Sequence, residues 1–239
     1  MTSSIQWNTD SLLKILDWWC TQCRSWHELH TQGRVLLASV TNIQSQRSHT
    51  HMCSTAWTQV EPALAQNTES LIQTDHLQTL MVHQTREIVT ALSRLRDLVS
   101  QMGTLVQDMG KRCQQLSGVV RQLLISEATE PLGDVPGLLS TSSACSHSTG
   151  QRMLRPAQLL HLIQQLYDMH HAEWQAQCRL CLQLDPVAIA DAGDSALKNP
   201  LAALTQRWAD KSCMDSTVEL SLEEWLKVLK KLKRTLAVA

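Results

Sequence analysis

The residues with the clearest potential for chemistry are two cysteines and two histidines near the N-terminus, spaced Cys20-x-x-Cys23-x-x-x-His27-x-x-His30. Thiolates and imidazoles at short spacings are the ligands of structural zinc sites. On one continuous helix, however, Cys20 and His30 are about 15 Å apart along the axis, whereas the ligands of one zinc ion lie within about 2.3 Å of the metal. The apolar spacing around these residues predicts such a helix. We therefore expect no zinc site here.

Two further groups contain cysteine or histidine. Cys178-x-x-Cys181 has the spacing of a redox pair, but it lies late in a predicted helix instead of at a helix N-terminus, so we interpret it as buried free thiols. His49, His51 and Cys53 fall in a polar stretch that we interpret as a loop, and no fourth metal ligand is identifiable for them. Neither group predicts a site.

Catalytic patterns are also weak in this sequence. His170, His171 and Glu173 have the residue types of an acid–base cluster, although His170 belongs to the apolar stripe of its helix and His171 to the solvent side. The chain has no phosphate-binding glycine loop, dinucleotide-binding fingerprint or nucleophile elbow. These observations predict a protein that is not an enzyme and binds no cofactor or metal.

The strongest pattern is a ladder of positions spaced alternately four and three residues apart, of which only two are polar. The ladder comprises Leu77, Met81, Gln84, Ile88, Ala91, Leu95, Leu98, Met102, Leu105, Met109, Arg112, Leu116, Val119 and Leu123. A mean spacing of 3.5 residues keeps one seam of a helix directed at a partner helix. The ladder predicts a rod on the order of 70 Å long. We expect another helix to cover its seam, and a polar residue such as Arg112 to select register or partner.

A second ladder of the same spacing runs through the N-terminal region. It comprises Leu12, Leu16, Trp19, Cys23, Trp26, His30, Gly33, Leu37 and Val40. Glycine inside a helix costs about 1 kcal/mol relative to alanine. We therefore expect either a kink or a close helix approach at Gly33.

The remaining sequence predicts an all-α protein, an elongated helical bundle with a long coiled-coil helix and a smaller C-terminal helical region. Its predicted segments are an N-terminal bundle helix (1–46), a loop with a short helix (47–70), the long coiled-coil helix (71–126), a flexible linker (127–153) and a C-terminal helical region (154–239). Pro156 fits the first position of a helix. Residues 201–208 predict a short helix, and Ser221 fits the capping box of a last helix.

The composition excludes several functional classes. The 239 residues include 43% hydrophobic residues and carry a net charge of −1, so no global charge attracts nucleic acid or a membrane. The start of the chain has no signal-peptide pattern, and no apolar run reaches 18 residues. We expect a cytoplasmic and nuclear protein with reduced cysteines. The segment from Lys227 to Arg234 carries five positive charges, which predicts a solvated helix face or a contact with an acidic partner, a nuclear import receptor or, weakly, nucleic acid.

Several segments, taken in order, resemble the AIRIM family, ribosome maturation factors that associate with AAA+ ATPases of the spermatogenesis-associated class. The similar pieces are Trp26 with Leu36–Ile43, the run Leu92–Ser100 (LSRLRDLVS), the helix Pro156–Leu166 after the linker, and the segment Leu201–Trp208. The arginine–aspartate run is the most specific of them. This chain differs from the family pattern in lacking phenylalanine and in its basic C-terminus.

The resemblance implies a non-catalytic adaptor that pairs with a helical protein, a cyclin-dependent-kinase-interacting protein, and sits with it on a hexameric AAA+ ATPase. That assembly is linked to maturation of the large ribosomal subunit and to protein turnover on chromatin. The long seam independently predicts a hetero-oligomer. The predicted interface residues are Ile88, Leu95, Leu98, Met102, Leu105, Met109, Trp19, Trp26 and Leu37.

Two other functions fit the same sequence. A coiled-coil subunit of a kinetochore, centrosome or spindle complex uses the same long-helix pattern. A metal-dependent helical protein would use the cysteines and histidines of residues 20–30, and stoichiometric zinc in the purified protein would identify it.

Overall fold

The computed structural model describes residues 9–64, 68–129, 155–185, 189 and 198–238. Within these residues the protein is all-α, with no strand, as the sequence predicts. The helices are α1 (Thr9–Leu64), α2 (Thr68–Thr129), α3 (Pro156–Gln183), α4 (Lys198–Asp210) and α5 (Ser216–Val238). None of the described helices has a stretch long and apolar enough to cross a membrane.

The chain divides into two compact units. Unit 1 contains residues 1–22, 107–168 and 215–239, and unit 2 contains residues 23–106 and 169–214. Each of the three longest helices therefore contributes one part to each unit. In unit 1 these parts pack with α5, and in unit 2 they pack with α4.

The loop predicted at 47–70 is wrong for most of that range, because α1 continues to Leu64 and α2 begins at Thr68. His49 and Cys53 lie on α1 with exposed side chains, four residues apart. His51 is two residues from each, so on a helix its side chain does not face theirs. The predicted linker at 127–153 lies almost entirely outside the described residues.

Polar contacts explain why α1 continues where its apolar pattern fades. Gln44 and Ser48 are buried although they are polar. Arg47 donates a hydrogen bond to the carbonyl oxygen of Met81 on α2, 2.7 Å away, and a second one to the Thr85 hydroxyl. Hydrophobic periodicity does not detect an interface of this kind, so the sequence analysis misread it as a loop.

The seam of α2 is buried by the chain's own helices. Ile88, Leu95 and Met102 are at most 1% exposed in the single chain. In unit 2 the core around this seam draws on all four helical segments and comprises Leu37, Val40, Ile88, Ala91, Leu92, Leu95, Val99, Leu180, Cys181, Leu184, Ile189, Leu201 and Trp208. Between Ile88 and Met102 the helices that cover the seam therefore belong to this chain. The ladder shows that a seam has to be covered, but not which helix covers it.

Unit 1 has its own buried residues from four helical segments. They are Leu12, Leu16, Trp19, Cys20, Met109, Cys113, Leu116, Val120, Leu159, Leu162, Ile163, Leu166, Leu222, Leu226 and Leu229. The α2 seam is less complete in unit 1, because Val119 is only half-buried and Arg112 is exposed. The part of the ladder after Met109 is thus the more open one.

Two helix starts test the capping predictions. Pro156 is the first residue of α3, as predicted, and the side chain of Gln158 accepts a hydrogen bond from the Arg155 N–H at 3.2 Å. The last helix starts at Ser216 and not at Ser221. Asp215 caps it by accepting hydrogen bonds from the Thr217 hydroxyl at 2.7 Å and from the Thr217 N–H at 2.9 Å. These two bonds lower the pKa of the Asp215 carboxyl. The capping-box assignment was wrong because Ser, Thr and acidic residues occur at both positions.

Candidate protein interaction site

Of the two histidines in the Cys20–His30 pattern, His30 packs α1 against α4. His30 is buried, and its Nε2 atom lies 2.8 Å from the carbonyl oxygen of Trp208. The Trp208 indole N–H donates in return to the carbonyl oxygen of His30 at 3.1 Å, and the two rings stack with centroids 5.7 Å apart. Both polar edges of this aromatic pair are therefore satisfied inside unit 2.

Gly33 makes this packing possible. A Cβ atom at Gly33 would lie 2.3 Å from Cζ2 of Trp208, well inside van der Waals contact. Of the two alternatives that the sequence predicts at Gly33, a kink or a close helix approach, the structure shows the close approach, and the approaching group is the Trp208 indole of α4. No kink is needed, because only a side chain enters the space.

Burial keeps His30 neutral. Desolvation, with the nearby charge of Lys211, lowers the pKa of His30 from 6.5 to about 4. The Lys211 ammonium donates a hydrogen bond to Nδ1 of His27 at 2.8 Å. Lys211 itself has φ of 45°, the left-handed conformation that ends a helix, directly after α4. The Nε2–H of neutral His30 donates to the Trp208 carbonyl oxygen, and its ring stacks on the indole.

A second glycine admits a second tryptophan in unit 2. The indole N–H of Trp174 donates to the carbonyl oxygen of Val99 at 3.2 Å, and its ring lies 3.0 Å from the Cβ position of Gly103. Arg96, from the arginine–aspartate run, donates to the carbonyl oxygen of Leu184 at 3.1 Å. This arginine therefore stabilises the C-terminal end of α3.

Of the three residues that resemble an acid–base cluster, His170 and Glu173 are buried in unit 2, and His171 is half-buried. His170 is fully buried with its ring edge-on to Trp26, at 5.1 Å between centroids. Glu173 is 1% exposed and accepts hydrogen bonds from the Gln177 amide at 2.5 Å and from the Cys213 N–H at 3.1 Å. The carboxylate thus fixes the segment between α4 and α5. Sequence analysis missed this role, because nothing near Glu173 in the sequence indicates Cys213 as its partner.

The cysteine pair of α3 lacks the environment of a redox centre. Burial raises the pKa of the Cys181 thiol to about 11 and also raises the pKa of the Cys178 thiol. Both are free cysteines. A protonated, buried thiol is a poor nucleophile and a poor metal ligand, so these residues serve packing.

The clearest open surface of unit 2 is a groove between α1 and α2, which we call the valine groove. It has a volume of about 520 Å³ and is lined by Thr31, Gln32, Val35, Leu36, Arg94, Asp97, Leu98 and Gln101. Val35 is 61% exposed. Val35 and Leu36 on α1 and Leu98 on α2 supply its apolar surface, and Arg94 and Asp97 on α2 carry one charge of each sign.

The valine groove changes the predicted interface. Most of the predicted residues are buried core, namely Trp19, Trp26, Leu37, Ile88, Leu95, Leu98, Met102 and Met109, and Leu105 is half-buried. Leu98 alone among the predicted set lines the groove. Val35 and Leu36 were missed. The run of three apolar residues Val35-Leu36-Leu37 was the available signal, because one helix face cannot bury all three.

The basic C-terminal helix is partly neutralised within unit 1. Lys230 forms a salt bridge with Asp17 at 3.1 Å, and Lys233 forms one with Asp10 at 3.0 Å. These exposed pairs join α5 to α1 and account for two of the five positive charges. They contribute little stability each.

Comparison with known proteins adds no relative. No protein-family model, curated protein or solved structure matches this chain.

Proposed function

We propose that this chain is a non-catalytic adaptor subunit of an AAA+ ATPase complex that acts in large-subunit ribosome maturation and in protein turnover on chromatin. In this proposal the valine groove receives the helical partner protein. The observation that supports the proposal most is that residues from two of the AIRIM-like runs lie together in the valine groove. Leu36 belongs to the first run that resembles the AIRIM family, Arg94, Asp97 and Leu98 belong to the most specific run, and all four line one exposed groove.

The burial of the reactive side chains supports a non-catalytic role. His30, Glu173 and Cys181 are buried and engaged in packing or hydrogen bonds with backbone and side chains. A catalytic group has to reach a substrate, and these residues are enclosed by the helices of unit 2. The exposed chemistry of the groove is that of a helix-binding surface, with apolar side chains flanked by polar ones.

The alternative of a kinetochore, centrosome or spindle subunit depended on a long seam in need of a partner. The chain's own helices bury that seam from Ile88 to Met102. No observation now favours this alternative over the adaptor.

Affinity purification from cells tests the proposal. The tagged wild-type chain should retain an AAA+ ATPase and a helical partner protein, both identified by mass spectrometry. Val35→Glu should lose the partner by at least about tenfold, because a carboxylate would be desolvated on an apolar surface. The substitution is at an exposed helix position, so the fold should persist.

Val82→Glu is the matched control, since Val82 is 52% exposed on α2 and does not line the groove. It should retain both partners. A wild-type chain that recovers no AAA+ ATPase would refute the adaptor function. Retention of the partner by Val35→Glu would instead refute the groove as its binding site.

A further inference from the structure

Unit 1 has an open pocket between α1 and α2, which we call the tryptophan pocket. It has a volume of about 350 Å³, and its apolar surface comes from Ile15, Trp18, Leu116 and Val119. Lys14 and Arg112 lie at its edge with exposed side chains. Among the described residues that line it, none is acidic.

The acidic residues nearest to Lys14 along α1 already have partners. Asp10 and Asp17 flank Lys14 at the spacings that place side chains on the same helix face. Asp10 pairs with Lys233 at 3.0 Å and Asp17 pairs with Lys230 at 3.1 Å. In the described part of the chain, Lys14 therefore has no carboxylate of its own.

The same holds for Arg112 on α2. Asp108, one turn earlier, pairs with Lys111 at 3.0 Å. The Arg112 guanidinium instead lies over the Trp18 ring, 5.3 Å from its centroid. This contact fixes the guanidinium at the pocket while its N–H donors stay available for a carboxylate. The polar seam residue singled out in the sequence is thus held in position without an ionic partner among the described residues.

We infer that the tryptophan pocket binds an acidic amphipathic helix of a partner protein, at a site separate from the valine groove of the proposed adaptor function. Apolar side chains of that helix contact Trp18 and Val119, and its carboxylates pair with Arg112 and Lys14. Charge complementarity selects the occupant, since the pocket supplies two positive charges and the partner must supply negative ones. A nucleic acid fits less well, because the Trp18 face needed for base stacking is covered by Arg112.

The test titrates the full chain with a fluorescein-labelled helical peptide that has leucine on one face and glutamate along its flanks. The wild-type chain should bind it saturably. Arg112→Glu should weaken binding at least about tenfold, because like charges then face each other. Arg121→Glu makes the same change at an exposed position on the same helix, outside the pocket, and should leave binding nearly unchanged. Lys14→Glu provides a second pocket variant, and circular dichroism checks that each variant is folded.

Equal weakening by Arg112→Glu and Arg121→Glu would overturn the inference. So would equal binding of a peptide with lysine in place of glutamate, or tighter binding of a single-stranded RNA oligonucleotide. The titration does not require the ATPase complex. Its failure alongside a successful purification of that complex refutes the pocket only, and the opposite pair of results refutes the adaptor function only.

Discussion

The two units solve the same packing problem differently, although α1, α2 and α3 each contribute a part to both. In unit 2 the glycines at 33 and 103 each admit a tryptophan, and both indole N–H groups bond to a backbone carbonyl. In unit 1, a Cβ atom at Gly110 would lie 3.0 Å from the Tyr167 ring, and a Cβ atom at Gly118 would have no atom within 4 Å. Trp18 stays half-buried beneath Arg112. In unit 2, glycine–tryptophan contacts thus join the helices closely, although the valine groove stays open. In unit 1 neither of these two glycines admits a tryptophan, and Trp18 lines an open pocket.

The largest expected effect comes from Trp208. Trp208→Ala removes a fully buried side chain and the hydrogen bond to the His30 carbonyl, so the free energy of unfolding should fall by about 3–5 kcal/mol. Trp18→Ala, the matched substitution in unit 1, should cost only about 1 kcal/mol because Trp18 is half-buried. Urea unfolding followed by circular dichroism measures both. Similar losses for the two variants would erase the contrast between the units.

The next effect is a pH dependence of the free energy of unfolding that arises from His30. Its pKa in the folded chain is about 4, below 6.5, so the unfolded chain binds more protons between these values. The free energy of unfolding should therefore fall as the pH drops from 6.5 to 4, by up to about 3 kcal/mol from this group. His30→Gln should reduce that slope, and the difference between the two proteins removes the contribution of other groups. An identical slope in the variant would show that His30 titrates normally.

Gly33→Ala should act through overpacking. The new methyl group meets the rigid Trp208 ring at 2.3 Å, and displacing a buried ring should cost about 1–3 kcal/mol. Thermal unfolding of the variant checks this loss. A gain in stability would mean that the indole does not occupy this space.

The smallest effect has the opposite sign. Gly118→Ala meets no atom within 4 Å, so the better helix propensity of alanine should stabilise unit 1 by up to about 1 kcal/mol. The same thermal experiment measures it, with Gly110→Ala as the intermediate case because Tyr167 lies 3.0 Å away. Destabilisation by Gly118→Ala would indicate an unrecognised contact at this position.

The sequence predicted what depends on local spacing. The long α2 helix, the start of α3 at Pro156 and the close approach at Gly33 follow from apolar periodicity and from the backbone properties of proline and glycine. The continuation of α1 did not follow, because polar contacts of Arg47 with α2 replace the apolar pattern there. Local rules describe a helix well only where its interface is apolar.

The surfaces were harder to predict than the helices. The partner of Gly33 is Trp208, 175 positions away in the sequence, and no local pattern connects them. Leu98 was predicted as an interface residue and lines the valine groove, but Val35 was missed because its exposure depends on how α1 is turned toward α2. Which part of a ladder the chain itself buries is a tertiary property. The residue types on one ladder therefore predicted that an apolar seam exists. They did not predict which part of the seam stays exposed to solvent.

Hydrogen exchange of the purified chain, without any partner and over a range of protein concentrations, tests most directly whether the chain buries its own seam. We predict slow, concentration-independent amide exchange across residues 88–102, with opening free energies near that of global unfolding. Fast exchange at low concentration that becomes slow as the concentration rises, or only after a partner is added, would contradict the account. The seam would then need a second molecule to cover it.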